Sequence, residues 1–135
     1  MKIKLDEGAF TPVRAHPQDA GLDLMSTLNI TIPPHEYRRI DTGVHVEIPE
    51  GYVGLLTSKS GLMLAGLTCR GTIDSGYSGS IQAIIFNHSE TPYHFFRGAK
   101  IVQLVVVPCV TPPLEVVDEL SDSDRGSAGF GSSGK

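Results

Sequence analysis

Alternation of apolar and polar residues predicts β-strands along most of the chain, and helical periodicity is nearly absent. Val44, Val46 and Ile48 are apolar. The intervening His45 and Glu47 are polar, as on a strand with one buried and one solvated face. Fifteen glycines and nine prolines separate such runs, which is the pattern of an all-β sandwich or barrel. The predicted strands are Met1–Leu5, Leu22–Leu28, Arg38–Ile48, Tyr52–Ser58, Ser80–Asn87, Lys100–Val107 and Leu114–Val117.

Two stretches, 81–86 and 101–107, are closer to continuous apolar runs. Strands of this kind are typically covered on both faces. A second sheet can supply one cover, and another subunit can supply the other. The sequence therefore predicts a contact between subunits.

The composition changes near residue 121. Residues 1–120 have the length and apolar content of one globular domain. Residues 121–135 are rich in glycine and serine and carry one large apolar side chain, Phe130, so they cannot offset their own ordering entropy. We expect a flexible C-terminal arm. It is either a frayed tail or a segment that orders over a ligand, and its one arginine, Arg125, and one aromatic ring keep the second interpretation open.

The charge and the remaining composition exclude several classes of protein. A net charge of −4 and a pI near 5.6 argue against a nucleic-acid binder, which needs a concentrated basic face. The N-terminus lacks a signal peptide's apolar region, and no apolar run is long enough to span a bilayer. We expect a soluble cytoplasmic protein that does not engage membranes. Cys69 and Cys109 lack metal-ligand spacing and are predicted to be free thiols.

Two segments combine groups suited to a phosphate or a metal. Asp23 lies inside the apolar stretch 20–24, where a lone carboxylate is costly unless it caps, pairs or meets a cation. The segment Ser58-Lys59-Ser60-Gly61-Leu62 offers a cation, hydroxyls and a glycine that lets backbone N–H groups approach phosphate, although it lacks P-loop spacing. Taken singly, a satisfied strand-end aspartate and an ordinary serine-rich turn explain both.

Two further segments suit catalysis or base recognition. Residues 71–79, GTIDSGYSG, place Asp74 and Tyr77 between glycines in a predicted tight β-turn. The acid could orient a water and the ring could stack on a flat ligand, or the segment is a hairpin with an aspartate cap. Gln103 projects among apolar neighbours in residues 97–104, where a sheet-capping hydrogen bond is the alternative to a ligand contact.

In combination these segments resemble the five motifs of the trimeric dUTPases, in order and near the expected spacing. The segments are AGLDL at 20–24, SKSGL at 58–62, GTIDSGYSG at 71–79, RGAKIVQL at 97–104 and DRGSAGFGSSG at 124–134. The resemblance spans almost the whole chain. It implies an all-β, jelly-roll-like distorted β-barrel subunit in a homotrimer, each active site being built from all three chains.

The resemblance also implies an activity, the hydrolysis of dUTP to dUMP and pyrophosphate. By this resemblance Asp74 activates the attacking water, and Tyr77 packs on deoxyribose and excludes a 2′-hydroxyl. Mg²⁺ holds the triphosphate, with Asp23 contacting its hydration shell through water. These roles meet the needs of phosphoryl transfer, which are an in-line water and neutralisation of charge on the phosphate oxygens.

The remaining roles follow from the same resemblance. Lys59, Ser60 and Gly61 would contact the phosphates, and Gln103 would hold the α-phosphate region. In the arm, Arg125 would clamp the γ-phosphate beside Ser132 and Ser133, and Phe130 with Gly131 would close over uracil. A hairpin over 66–71, including Thr68 and Gly71, would read the base.

Two other functions are compatible with a protein of this kind. A dCTP deaminase shares the fold but needs a glutamate near the phosphate segment, where this chain has Met63, Leu64 and Ala65. A non-catalytic module that binds nucleotide and signals its occupancy would use the same residues as the enzyme. Turnover, rather than motifs, separates the second rival from a dUTPase.

Overall fold

The computed structural model describes residues 1–124 and 126–127 and is built almost entirely of antiparallel strands. The strands are β1 Ile3–Leu5, β2 Gly21–Met25, β3 Ile30–Ile32, β4 Tyr37–Asp41, β5 Val44–Val46, β6 Tyr52–Thr57, β7 Leu67–Thr68, β8 Arg70–Ile73, β9 Gln82–Asn87, β10 Tyr93–Phe95 and β11 Lys100–Pro108. One short helix, α1, spans Ser60–Leu64. The all-β prediction is confirmed.

Two larger sheets and two strand pairs surround the core. One has the strand order β2-β11-β6-β8 and the other β4-β9-β7, while β1 pairs with β5 and β10 pairs with β3. Leu24, Leu56 and Leu104 project inward from the first sheet, and Ile40 and Ile85 from the second. These side chains belong to one buried cluster, whose apolar burial is the main favourable contribution to folding.

The structure corrects three predicted strands. The strand Arg38–Ile48 is divided into β4 and β5, because Gly43 between them adopts φ +63° and the two strands enter different sheets. The predicted strand Leu22–Leu28 ends at Met25. The prediction for Leu114–Val117 is wrong for the isolated chain: the segment follows Pro112-Pro113, forms no strand and leaves Leu114 and Val116 almost fully exposed.

The segment 66–71 is also not a hairpin. Leu67–Thr68 pairs with β9 and Arg70–Ile73 pairs with β6, so the chain passes from one sheet to the other at Cys69. The amide N–H of Cys69 donates to Oγ of Ser58, which fixes the crossing. This segment therefore ties the end of β6 to both sheets.

Two other findings concern bilayer crossing and thiols. Across residues 1–124 and 126–127, no helix combines the length and the apolar character that crossing a bilayer requires. Cys69 is buried and Cys109 is half-buried, and both are free thiols, as predicted. Burial raises the pKa of the Cys69 thiol.

Candidate active site

Asp23 lies beneath two lysines. Its carboxylate is 6% exposed and accepts a hydrogen bond from Nζ of Lys59, while Nζ of Lys100 lies 2.8 Å from Oδ2. Lys59 lies between β6 and α1, and Lys100 begins β11, so the strand order β2-β11-β6 brings the three residues together. The buried acid thus holds two cations at one edge of the sheet.

The electrostatics of this trio favour the ionised acid. Burial by itself raises the pKa of Asp23, but hydrogen bonds and charges from Lys100 and Lys59 outweigh it and hold the pKa below its ordinary value. Asp23 is therefore paired with cations, which is one of the outcomes that the sequence allowed. One negative and two positive charges leave this cluster with a net positive charge beside the adjacent cavity.

Gln103 lies next to the lysines, directly opposite Asp23 on the neighbouring strand. Its side-chain amide donates a long hydrogen bond, 3.5 Å, to the carbonyl oxygen of Ser58. Its other amide atom lies over Gly21, where an added Cβ would collide with Oε1 of Gln103. Gln103 can therefore take this orientation because Gly21 has no side chain.

These residues border a cavity of about 450 Å³, which we call the phosphate cradle. Its walls are Lys59, Ser60, Gly61, Lys100 and Gln103, with Leu62 and Tyr93. Ser60 and Gly61 open α1, and the first N–H groups of a helix have no intrahelical acceptor. Cationic, hydroxyl and backbone N–H donors therefore converge on one opening, an arrangement suited to an oxyanion.

Asp74 and Tyr77 lie in a connecting loop, residues 74–79, which we call the Asp74 loop. The amide N–H of Tyr77 donates to the carbonyl oxygen of Asp74 at 3.0 Å, which closes the predicted tight turn. The loop joins β8 to β9, which lie in different sheets, so the hairpin alternative is wrong. The carboxylate of Asp74 is exposed and can accept a proton from a water that reaches it.

The ring of Tyr77 has a defined position. Its hydroxyl donates to the carbonyl oxygen of Ser80 at 2.9 Å. An added Cβ on Gly79 would collide with this hydroxyl, so the glycine permits the ring to fold back over the loop. Tyr77 remains 42% exposed, so its ring is accessible to a ligand.

The phosphate cradle and the Asp74 loop are well separated within one chain. Gln103 pairs with Thr57 at one end of β6, while Ile73, the neighbour of Asp74, pairs with Gly54. At the spacing of β-sheets this places Asp74 about 13 Å from Gln103 along the strands and about 10 Å across them. One subunit therefore does not unite its predicted base with its predicted phosphate ligands.

Comparisons with known proteins identify the family. The dUTPase family model matches residues 8–134. The chain belongs to the dUTPase family. The deoxyuridine 5′-triphosphate nucleotidohydrolase of Clostridium tetani is 44% identical over 140 residues, covering 100% of this chain and 97% of that protein. That of Gloeothece citriformis is 40% identical over 141 residues, covering 99% and 97%.

Solved dUTPase structures show the same fold. The Staphylococcus bacteriophage 80alpha dUTPase with dUPNHPP has a TM-score of 0.93 and 38% identity, over 99% of this chain and 98% of that one. A dUTPase variant from phage phi11 of S. aureus, whose structure reveals coordination of a structural Mg(II) ion, has a TM-score of 0.83 and 35% identity, over 90% and 98%. This dUTPase chain is thus a jelly-roll-like β subunit.

The predicted base-reading residues lie on the sheet-crossing segment. Thr68 is exposed, and its Oγ1 lies 2.7 Å from Nε2 of His88. Gly71 is half-buried on β8 and faces Leu56 on β6. His88 is thus a neighbour of the predicted uracil site that sequence reasoning did not select. The predicted arm residues Arg125, Phe130, Gly131, Ser132 and Ser133 lie outside the described residues.

Sequence reasoning about dUTPase motifs also missed two residues of the phosphate cradle. Lys100 stands inside the fourth motif, but its role depends on strand pairing with Asp23 that no linear pattern displays. Gly21 stands inside the first motif, and only the position of Gln103 shows why a side chain there is excluded. A signal was available in both cases, since each residue lies within a motif.

The donor set fits a magnesium ion held mainly by substrate. The described residues contain no group of three or more side chains that could bind a metal by themselves. Mg²⁺ in phosphate sites is commonly held by one or two carboxylates, waters and the phosphates. Two lysine hydrogen bonds leave the Asp23 carboxylate lone pairs for a metal-bound water, so the residues present fit this dUTPase role.

Proposed function

We propose that this protein hydrolyses dUTP to dUMP and pyrophosphate. Family membership supports the activity, because the matched curated relatives are deoxyuridine 5′-triphosphate nucleotidohydrolases. The observation that carries the proposal is the pairing of two complementary groups on one chain. The phosphate cradle gathers cations, hydroxyls and an amide, while the Asp74 loop carries an exposed acid and a ring.

We further propose a homotrimer with shared active sites, because the two groups lie apart in one subunit. Exposed apolar side chains support association. Ile84 and Phe86 are 41% and 44% exposed on β9, and the ring of Tyr37 lies 5.2 Å from that of Phe86. Leu114 and Val116 are 96% and 100% exposed. Apolar surface of this kind commonly marks a contact with another chain.

In this mechanism Asp74 of one subunit accepts a proton from water. The water oxygen attacks the α-phosphorus in line and forms the new P–O bond of dUMP, while the bond to the bridging oxygen breaks and pyrophosphate leaves. Lys59, Ser60 and Gly61 of a neighbouring subunit stabilise the charge on the phosphate oxygens. Gln103 donates its amide N–H to the α-phosphate region and fixes the attacked phosphorus.

Asp23 has two functions in this proposal. It orients Lys59 and Lys100 toward the phosphate cradle, and its carboxylate would accept a hydrogen bond from a magnesium-bound water. When bound, Mg²⁺ supplies charge neutralisation at the triphosphate and restricts its conformers. The described protein residues bind and orient the phosphates around it.

Sugar and base selectivity come from the Asp74 loop and the sheet-crossing segment. Tyr77, held by Ser80, packs on deoxyribose and leaves no space for a 2′-hydroxyl. Thr68 and Gly71 contribute backbone groups that pair the polar edge of uracil. The arm supplies Arg125 to the γ-phosphate, Ser132 and Ser133 beside it, and Phe130 with Gly131 over the base, excluding bulk water.

The proposal is tested by pyrophosphate release from dUTP, dTTP, dCTP and UTP, with Mg²⁺ and with excess EDTA. We expect dUTP to be cleaved at least a hundredfold faster than the others, and only with Mg²⁺. Ammonia release from dCTP would favour the deaminase. Tight dUTP binding without pyrophosphate would favour the regulatory module and overturn the enzymatic proposal.

A further inference from the structure

His45 connects the N-terminal strand to the Asp74 loop. It lies on β5, which pairs with β1, and its imidazole reaches in two directions. Nδ1 lies 2.8 Å from the carbonyl oxygen of Ser78, inside the loop. Nε2 lies 3.0 Å from Oδ2 of Asp6, just after β1. The ring thus bridges the segment next to Tyr77 and an acid at the edge of the barrel.

Both partners of the imidazole are hydrogen-bond acceptors. A carbonyl oxygen and an ionised carboxylate have no proton to donate. A neutral imidazole has one N–H and can satisfy one of them, whereas the imidazolium has two and satisfies both. The observed geometry at Ser78 and Asp6 therefore matches protonated His45.

We propose that His45 is a pH-sensitive positioning residue, whose imidazolium holds the Asp74 loop in its working position through Ser78. This inference rests on the proposed function for its effect on turnover. Its structural part, the link between the charge of His45 and the conformation of residues 74–79, stands independently of that function.

When the imidazolium of His45 loses a proton, the hydrogen bond to Ser78 in the Asp74 loop is the one that breaks. The remaining N–H is retained by the stronger, charged acceptor, which is Asp6. Nδ1 then presents a lone pair to the carbonyl oxygen of Ser78, and the attraction at 2.8 Å becomes a repulsion. Since Tyr77 precedes Ser78, and its amide N–H donates to Asp74, displacement of Ser78 is transmitted to both functional side chains.

The surrounding groups favour the protonated imidazole. The Ser78 carbonyl and the Asp6 carboxylate raise the pKa of His45 above its ordinary value. Partial burial and the nearby Lys4 on β1 oppose this shift but do not cancel it. Asp41 on β4 also faces the imidazole, and the charge of His45 helps to lower the pKa of its carboxyl. Because the pKa is raised, the bridge is complete below the ordinary value of 6.5 and is lost as the pH rises through the raised value.

Two measurements on the full-length protein test this inference. The first is an NMR titration of the His45 imidazole together with the backbone amides of residues 74–80. The second is the pH profile of kcat/KM for dUTP. We expect the loop amides to shift with the midpoint of His45, and Asp6→Asn to lower that midpoint in both measurements. His45→Gln should remove the transition and lower kcat/KM below it by about fivefold, the effect of one hydrogen bond.

His94→Gln is the matched control, because His94 is a surface histidine hydrogen-bonded to Thr31 on another pair of strands. It should leave both profiles unchanged. Loop amides that ignore the titration of His45 would overturn the inference, as would an unchanged alkaline limb in Asp6→Asn. If no variant or wild-type protein cleaves dUTP, the proposed function fails, while the NMR titration still decides whether His45 controls the loop.

Discussion

Lys100 Nζ lies 2.8 Å from Oδ2 of Asp23, and this ion pair completes a trio around the buried acid, whose third member is Lys59. The acid is 6% exposed, whereas the lysines are 32% and 41% exposed. Asp23 and Lys100 lie on the paired strands β2 and β11, and Lys59 follows β6 on the other side of β11. The trio therefore both stabilises the sheet and orients the lysines of the phosphate cradle.

Asp23→Asn should reduce both the stability of the sheet and the orientation of the lysines of the phosphate cradle. The amide cannot satisfy two ammonium groups, but the lysines keep part of their hydration, so we expect a loss of about 2 kcal/mol in the free energy of unfolding. Urea denaturation measures this loss, with Asp118→Asn, at an exposed position, as the matched control. An unchanged midpoint would show that the trio does not stabilise the fold.

The same trio predicts the direction of acid sensitivity. The pKa of Asp23 in the folded protein lies below its ordinary value of 3.8, so its stabilisation is present above that pH. The stabilisation is lost as the pH falls below 3.8 through the lowered value. Asp23→Asn should therefore reduce the dependence of unfolding free energy on pH in this acidic range, as measured by urea denaturation at a series of pH values.

Gly21→Ala should impair substrate binding through Gln103. The added methyl group occupies the position of the Gln103 amide, which must rotate away. We expect KM for dUTP to rise about fivefold, the effect of one lost hydrogen bond, with a near-wild-type unfolding midpoint. The double variant Gly21→Ala/Gln103→Ala is the control, since residues that act through one contact give non-additive effects. Additive effects would count against this link.

Asp74→Asn should separate binding from chemistry. Asparagine keeps the size of the side chain and the backbone turn to Tyr77, but it cannot accept the proton of the attacking water. We expect kcat to fall by about 10²- to 10⁴-fold, with little change in the affinity for a non-hydrolysable dUTP analogue. Stopped-time pyrophosphate assays and calorimetry measure the two quantities. Retention of full turnover would remove Asp74 from the mechanism.

Part of this architecture could be predicted from the sequence because it is local. Alternation identified the cores of β4, β5 and β6, and glycine-bracketed Asp74 correctly predicted a tight turn. The jelly-roll-like fold followed from the motif resemblance. Strand pairing could not be inferred locally. Strand order rather than sequence spacing brings Lys100 to Asp23 and makes the chain pass from one sheet to the other at Cys69.

The segment Leu114–Val117 shows the same limit differently. Its apolar composition predicts a strand, yet the described residues 1–124 and 126–127 offer it no strand partner and leave Val116 fully exposed. A sequence pattern does not say which chain supplies the partner. Under the proposed trimer, a neighbouring subunit covers this segment.

Val116→Asp should therefore weaken assembly without unfolding the subunit, because a charge at this position is solvated in the monomer and unfavourable in an apolar contact. Light scattering should give three times the 14.5 kDa chain mass for the wild type and smaller species for the variant at micromolar concentration. Glu115→Asp, at an adjacent exposed position, is the control. A trimer that tolerates Val116→Asp would place the contact elsewhere.

The separation of the Asp74 loop from the phosphate cradle is tested most directly by the dUTPase activity of mixed subunits. Asp74→Asn and Ser60→Ala/Gln103→Ala proteins, each with little activity, are co-refolded in equal amounts and compared with the separately refolded proteins. If neighbouring subunits share each site, random assembly restores both groups at about one site in four, and activity returns to about a quarter of the wild-type rate. Mixed trimers without restored activity would contradict the shared site.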